Sequence, residues 1–199
     1  TAGAELVGFV LVPQSPRNLT VPDAVDLAGA VGRRARTVAV VVDPDDDLVD
    51  RIVANVRPDV LQLHGAETPE RVGAIKTRAG LTVFKAVPVS DAWEVAAAER
   101  YSAVADRILF DTKAPPGSEL PGGNGLSFDW AILEAAAAPF ALSGGLDADN
   151  VAEAIRQSGA ALVDVSSGVE TAPGEKDSVL INQFVHAVRE AAPKQKKAS

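Results

Sequence analysis

Asp111 ends the run RILFD (107–111), an acid placed directly after an apolar stretch. A carboxyl at the end of a buried strand is partly desolvated. Desolvation of that kind can raise a carboxyl toward a general-acid role. The bland alternative is an aspartate that caps the next segment. Arg17, in SPR (15–17), has the planar fork that holds a carboxylate bidentately; its alternative is a surface arginine. Gln62 and His64 lie two residues apart in a strand-like run and share a face. His64 can contact a ligand or orient another group, and both remain open. Two turns, SGGL (143–146) and SSGV (166–169), end successive apolar runs in small residues. Glycine lets backbone approach an anion, bare N–H groups point at it, and serines add hydroxyl donors. Gly144, Gly145, Ser166, Ser167 and Gly168 are therefore phosphate-site candidates, with tight turns as the plain alternative. His186 falls in the last helical stretch and reads as structural or exposed. Two histidines without an acidic cluster at ligand spacing predict no metal site.

These residues need elements that bring strand ends together. Strand-like runs recur at 4–12, 36–43, 59–65, 81–89, 106–112, 139–145 and 161–168. Helical stretches lie between and after them, at 21–33, 46–57, 68–79, 91–103, 129–137, 148–158 and 178–191. Thr20 with Pro22 and Asp23, Thr68-Pro69-Glu70 and Ser90-Asp91 are helix-start signals. Near-continuous apolar strands suit a parallel sheet covered by helices. No GxGxxG follows the first strand, which weakens a dinucleotide-binding fold. Polar and small residues close most of the strands, which points to the mouth of an α/β (βα)8 barrel. Only seven units are visible, so the strands at 4–12 and 161–168 are each left with an unpaired edge. Residues 1–192 read as one barrel domain, 113–127 as a mobile closing loop, and 193–199 as a disordered basic tail.

The bulk properties narrow the function. The 199 residues carry a formal net charge of −8, which argues against a nucleic-acid partner. Any anion site must be local. No apolar run reaches membrane-spanning length and no signal-peptide pattern opens the chain. There is no cysteine, so no disulfide or thiolate metal site. A cytoplasmic protein acting on a small phosphorylated molecule is expected, as a monomer or homodimer.

GFVLVPQSPR (8–17), DVLQLHGAE (59–67), ILFDT (108–112), GGNGLSFDW (122–130), LSGGLDADNV (142–151) and DVSSGVETAPGEKD (164–177) lie in order along nearly the whole chain. Together they resemble the phosphoribosylanthranilate isomerases of tryptophan biosynthesis. The resemblance implies a (βα)8 barrel and a cofactor-free Amadori rearrangement, an aldose–ketose isomerisation classed with intramolecular oxidoreductases. In it N-(5-phosphoribosyl)anthranilate becomes 1-(2-carboxyphenylamino)-1-deoxyribulose 5-phosphate. A general acid opens the ribose ring to a Schiff base, and a general base then removes the C2 proton. By the same resemblance Asp111 is the acid and Arg17 holds the anthranilate carboxylate. Asp164 lines the site, the two glycine turns cradle the phosphate, and the GGNG loop closes over the substrate; Gln62 and His64, from their shared strand face, are the further substrate-binding candidates.

The match departs from the family at one place. The family's first strand carries the general-base cysteine, whereas the first strand here matches the family's second. The chain also begins with Thr1 and holds no methionine. The expectation is a sequence that starts late by one βα unit. Two rivals remain at this level: a histidine-pathway Amadori isomerase, and a phosphate-binding barrel without turnover, which the absent cysteine keeps open.

Overall fold

In the computed structural model, residues 2–113 and 129–191 are described. The insert read as a closing loop lies outside them beyond Lys113, as does the 193–199 tail. Seven parallel strands pair in sequence order: β1 (Leu6–Val10), β2 (Arg36–Val41), β3 (Val60–Leu63), β4 (Thr82–Val89), β5 (Arg107–Thr112), β6 (Ala141–Leu142) and β7 (Leu162–Val163). The sheet curls with helices outside: α1 (Val21–Val31), α2 (Asp46–Arg51), α3 (Pro69–Ala79), α4 (Ala92–Ala97), α5 (Val151–Ser158) and α6 (Ser178–Ala191). None of the described helices is long and apolar enough to cross a membrane.

Local chemistry sets these bounds. Thr20 and Asp23 form a reciprocal capping box at α1, Thr68 caps α3, and Asp91 accepts from the Glu94 N–H at α4. α2 runs on as a wide turn over Ile52–Val56 and stops at Arg57, which is left-handed (φ 51°) and precedes Pro58. The stretch expected as a helix at 129–137 is instead a 3-10 turn, Trp130–Ala135. Ala136 is already extended and Pro139 follows closely, so the segment is too short for α nucleation. One element escaped the sequence reading. β8 (Glu170–Ala172) and β9 (Glu175–Lys176) form a hairpin turned by Pro173-Gly174, with Gly174 at φ 89°. The Pro-Gly pair was its signal.

Alternation sorts the strand residues. Val38, Val60 and Phe84, then Ala86, Leu109 and Ala141, fill the inside of the curl. The larger cluster, including Ala39, Leu61, Val83 and Phe110, faces the helices. β1 and β7 are the sheet's edges, as the seven-unit count predicts. Between them opens a cleft of about 210 Å³, lined by Leu6, Gly8, Phe84, Leu162 and Val185 and reaching Gln62 and Asp164.

Candidate active site

Gln62 and His64 project from one face at the end of β3, as expected. Gln62 is 5% exposed, and its Nε2 donates to His64 Nδ1 at 3.2 Å. That leaves the imidazole hydrogen on Nε2, which donates to Asp111 Oδ2 at 2.9 Å. Asp111, at the end of β5, is 3% exposed, and its Oδ1 accepts the Thr112 N–H at 2.8 Å. The aspartate therefore does bond its local backbone, as the capping alternative held, while its second oxygen belongs to His64. Asp164 follows β7, and its N–H continues the ladder to Leu142 O. Burial pushes its carboxyl up from the ordinary aspartate value. Of the neighbouring groups, His64 and Lys176 pull it down and Asp111 pushes it up, so these four groups share one field.

The two glycine turns meet. A Cβ on Gly168 would lie 2.0 Å from Leu146 O, so only glycine lets the second turn close on the first. Gly144 (φ 93°) sits as tightly against Asp111: a Cβ there would lie 2.5 Å from Thr112 N and 2.8 Å from Asp111 Oδ1. The first turn is braced by Asn150, which donates to Gly145 O at 2.8 Å and accepts the Asp147 N–H. Among the described residues, the N–H groups of Gly144, Gly145, Ser167 and Gly168 have no acceptor. Ser166 supplies its carbonyl and hydroxyl to Lys176 Nζ, at 2.9 and 3.2 Å. Gly168→Ala is expected to cost about 1–3 kcal/mol, because backbone rather than a flexible side chain must give way. It should also weaken phosphate binding tenfold or more; urea unfolding and inorganic-phosphate competition read the two effects.

Arg17 lies in the loop between β1 and α1, whose turn is tightened by the bond from Arg17 N to Ser15 Oγ. It is no free surface arginine. Its Nε and Nη2 grip Glu170 in a bidentate pair at 2.9 and 2.7 Å, and Lys176 Nζ binds the same carboxylate at 2.7 Å. Burial alone would raise the Glu170 carboxyl. The hydrogen bonds from Arg17 and Lys176, and their charges, outweigh burial and hold it at about 2, from 4.5. With the folded-state value depressed, this stabilisation is complete above pH 4.5 and is lost as pH falls toward about 2. A pH series of urea midpoints should show that acid loss, and Glu170→Gln should flatten it.

The sequence reading missed four residues that build the site. Glu170 and Lys176 belong to the unseen hairpin. Lys85 is 2% exposed on the helix-covered face of β4; a lysine inside an apolar strand was its signal. Its Nζ binds Glu67 Oε2 at 2.8 Å, Gly65 O at 2.7 Å and Ala86 O at 2.8 Å. Glu67 in turn accepts from the Gly65 and Asp43 N–H groups, and Asp43 accepts from Ala66 N–H. This network pins the loop that follows His64. His186 is 73% exposed, pairs with Glu190 on α6 and takes no part. No cluster of metal ligands occurs among the described residues.

Residues 1–187 match the family profile of N-(5'-phosphoribosyl)anthranilate (PRA) isomerase. The N-(5'-phosphoribosyl)anthranilate isomerase of Brucella canis is 54% identical over 191 residues, 95% of this chain and 86% of that protein. The chain belongs to the phosphoribosylanthranilate isomerase family. Its fold is similar to the crystal structure of the Thermotoga maritima phosphoribosylanthranilate isomerase, with a TM-score of 0.84 and 33% identity, covering 95% of this chain and 90% of that one. A second isomerase structure, in complex with reduced 1-(o-carboxyphenylamino)-1-deoxyribulose 5-phosphate, aligns with a TM-score of 0.80 and 32% identity over 95% of this chain and 89% of that one. The family match sets aside the histidine-pathway isomerase. The architecture is the family's barrel, described here as seven strands of a curled sheet.

Proposed function

We propose that this isomerase converts N-(5'-phosphoribosyl)anthranilate to 1-(2-carboxyphenylamino)-1-deoxyribulose 5-phosphate by general acid–base chemistry, in the cytoplasm, as a step of tryptophan biosynthesis. Asp111 gives a proton to the ribose ring oxygen as the C–O bond breaks. The ring opens to a Schiff base and Asp111 becomes a carboxylate. The observation that carries this role is the 2.9 Å contact between His64 Nε2 and Asp111 Oδ2. His64 N–H and Thr112 N–H are donors already aimed at the charge that develops on Asp111, so the acid leaves an anion that is solvated in advance. Gln62 keeps His64 in the tautomer that can donate.

The substrate's two anionic ends call for separate holds. The N–H groups of Gly144, Gly145, Ser167 and Gly168, with the serine hydroxyls of 166 and 167, suit the phosphate. Arg17 suits the anthranilate carboxylate. Asp164 lines the space between them. The C2 proton leaves to a base, which in the family is a cysteine with no counterpart among these 199 residues. Turnover of the phosphoribosylated anthranilate, followed as loss of its fluorescence, tests the reading. The expected result is product bearing a ketose. Binding of the reduced product analogue without any turnover, in a chain that includes these residues and a base, would overturn it.

A further inference from the structure

Arg17 has five N–H donors in a flat fork. Glu170 takes one edge of that fork: Nε donates to Oε1 at 2.9 Å and to Oε2 at 3.2 Å, and Nη2 donates to Oε2 at 2.7 Å. Among the described residues Nη1 has no acceptor, and Nη2 keeps a second hydrogen. The opposite edge is therefore uncommitted, and it has the geometry for a second bidentate carboxylate. The pair is well hidden, with side chains only 12% and 4% exposed. Glu170 is itself held from behind by Lys176, which also binds Ser166 O and Oγ in the second glycine turn. The hairpin that carries both residues rests on the Arg17 loop, where a Cβ on Gly174 would lie 3.3 Å from Pro16 O. The three side chains carry two positive charges and one negative, so the cluster keeps one positive charge in a chain of net charge −8.

We propose that Glu170, backed by Lys176, is a positioning residue that fixes the Arg17 guanidinium with one edge free for the substrate carboxylate, making the β8–β9 hairpin the specificity element for an ortho-carboxylated aryl amine. This rests on Arg17 as the carboxylate-binding residue. A long flexible arginine left unpaired would lose rotamer freedom on binding; held by Glu170 it has already lost it, so the ligand keeps more of the interaction. The same cluster couples the two ends of the substrate. Lys176 joins the Arg17–Glu170 pair to the Ser166 turn, so the spacing between the carboxylate and phosphate holds is set by three side chains rather than by loop backbone.

The contrary role for Glu170 is a competitor that fills Arg17 until substrate displaces it. The two roles predict opposite signs. The probes are reduced 1-(o-carboxyphenylamino)-1-deoxyribulose 5-phosphate and its counterpart made from aniline, which lacks the ring carboxylate. Calorimetry with both gives a carboxylate factor, the ratio of their dissociation constants. In the unsubstituted chain that factor is expected to be roughly 10- to 100-fold, the range for charge-assisted bonds. In Glu170→Gln it should fall to about threefold or less, while affinity for the aniline compound, which depends on the phosphate, stays within about twofold. Glu170→Asp keeps the charge but shortens the reach, and should lower the factor as well. A factor that holds or rises in Glu170→Gln, or holds in Glu170→Asp, overturns the positioning role. Arg17→Lys separates the premise: if the factor survives that substitution, Arg17 does not bind the carboxylate, and the reading beneath the proposal fails instead. Should Glu170→Gln fold poorly by circular dichroism, Glu170→Asp carries the same test, because it keeps the negative charge between Arg17 and Lys176 and only shortens its reach.

Discussion

Asp111→Asn is expected to slow isomerisation of N-(5'-phosphoribosyl)anthranilate by about a hundredfold or more, the usual worth of a positioned general acid. Asparagine keeps the shape of the side chain, and its carbonyl oxygen can still accept from His64 Nε2 or Thr112 N. What it removes is the transferable proton. The loss should therefore fall on kcat, with affinity for the reduced product analogue changing by less than about threefold. His64→Ala should cost less, roughly tenfold, because it removes one of the two donors to the Asp111 carboxylate and leaves the acid itself. The readout is loss of substrate fluorescence, in a longer chain that includes these residues and a base. Near-normal turnover by the Asp111→Asn protein would remove Asp111 from the acid role. A larger effect at His64 than at Asp111 would make the imidazole the proton donor.

Lys85→Met and Glu67→Gln, made singly, are each expected to destabilise the fold by about 3–5 kcal/mol, the cost of leaving one member of a buried ion pair without the other. Both side chains are essentially buried, at 2% and 1% exposure. Lys85 Nζ has four acceptors, Leu63 O, Gly65 O, Glu67 Oε2 and Ala86 O, and lies 5.7 Å from the centre of the Tyr101 ring. The Tyr101 hydroxyl donates to Glu67 O at 2.9 Å and closes the network. Methionine fills the lysine's volume but leaves the Glu67 carboxylate with only backbone donors. The double substitution should cost clearly less than the sum of the singles, because it removes the charge from both sides. Urea unfolding measures all three proteins. Strict additivity, or a single cost below about 1 kcal/mol, would show that the pair is not coupled as its geometry indicates. The same network fixes Gly65 and Ala66, next to His64, so the surviving folded protein should also lose turnover.

Much of this molecule is written in local chemistry. The alternation of β-branched runs with capped helices announced a parallel βα sheet, because a strand buried on both faces must be apolar nearly throughout. Thr20, Thr68 and Asp91 marked three helix starts, since their side chains satisfy N–H groups that every helix start leaves unpaired. Asp111 and the turns at Gly144 and Gly168 stood out because an acid or a bare turn after an apolar strand has no use in the core. The open edges at β1 and β7 followed from counting units. The tertiary structure alone decided the pairings. Asp111 meets His64 across 47 positions, and Arg17 meets Glu170 across 153. Nothing in either local stretch names its partner, because strand order and curl bring the loops together at one end of the sheet. Lys85 and Glu67 are the clearest case. A charged residue inside a strand is a fault by pattern alone, and it becomes tolerable only where the fold supplies a carboxylate and carbonyls to replace the water it lost.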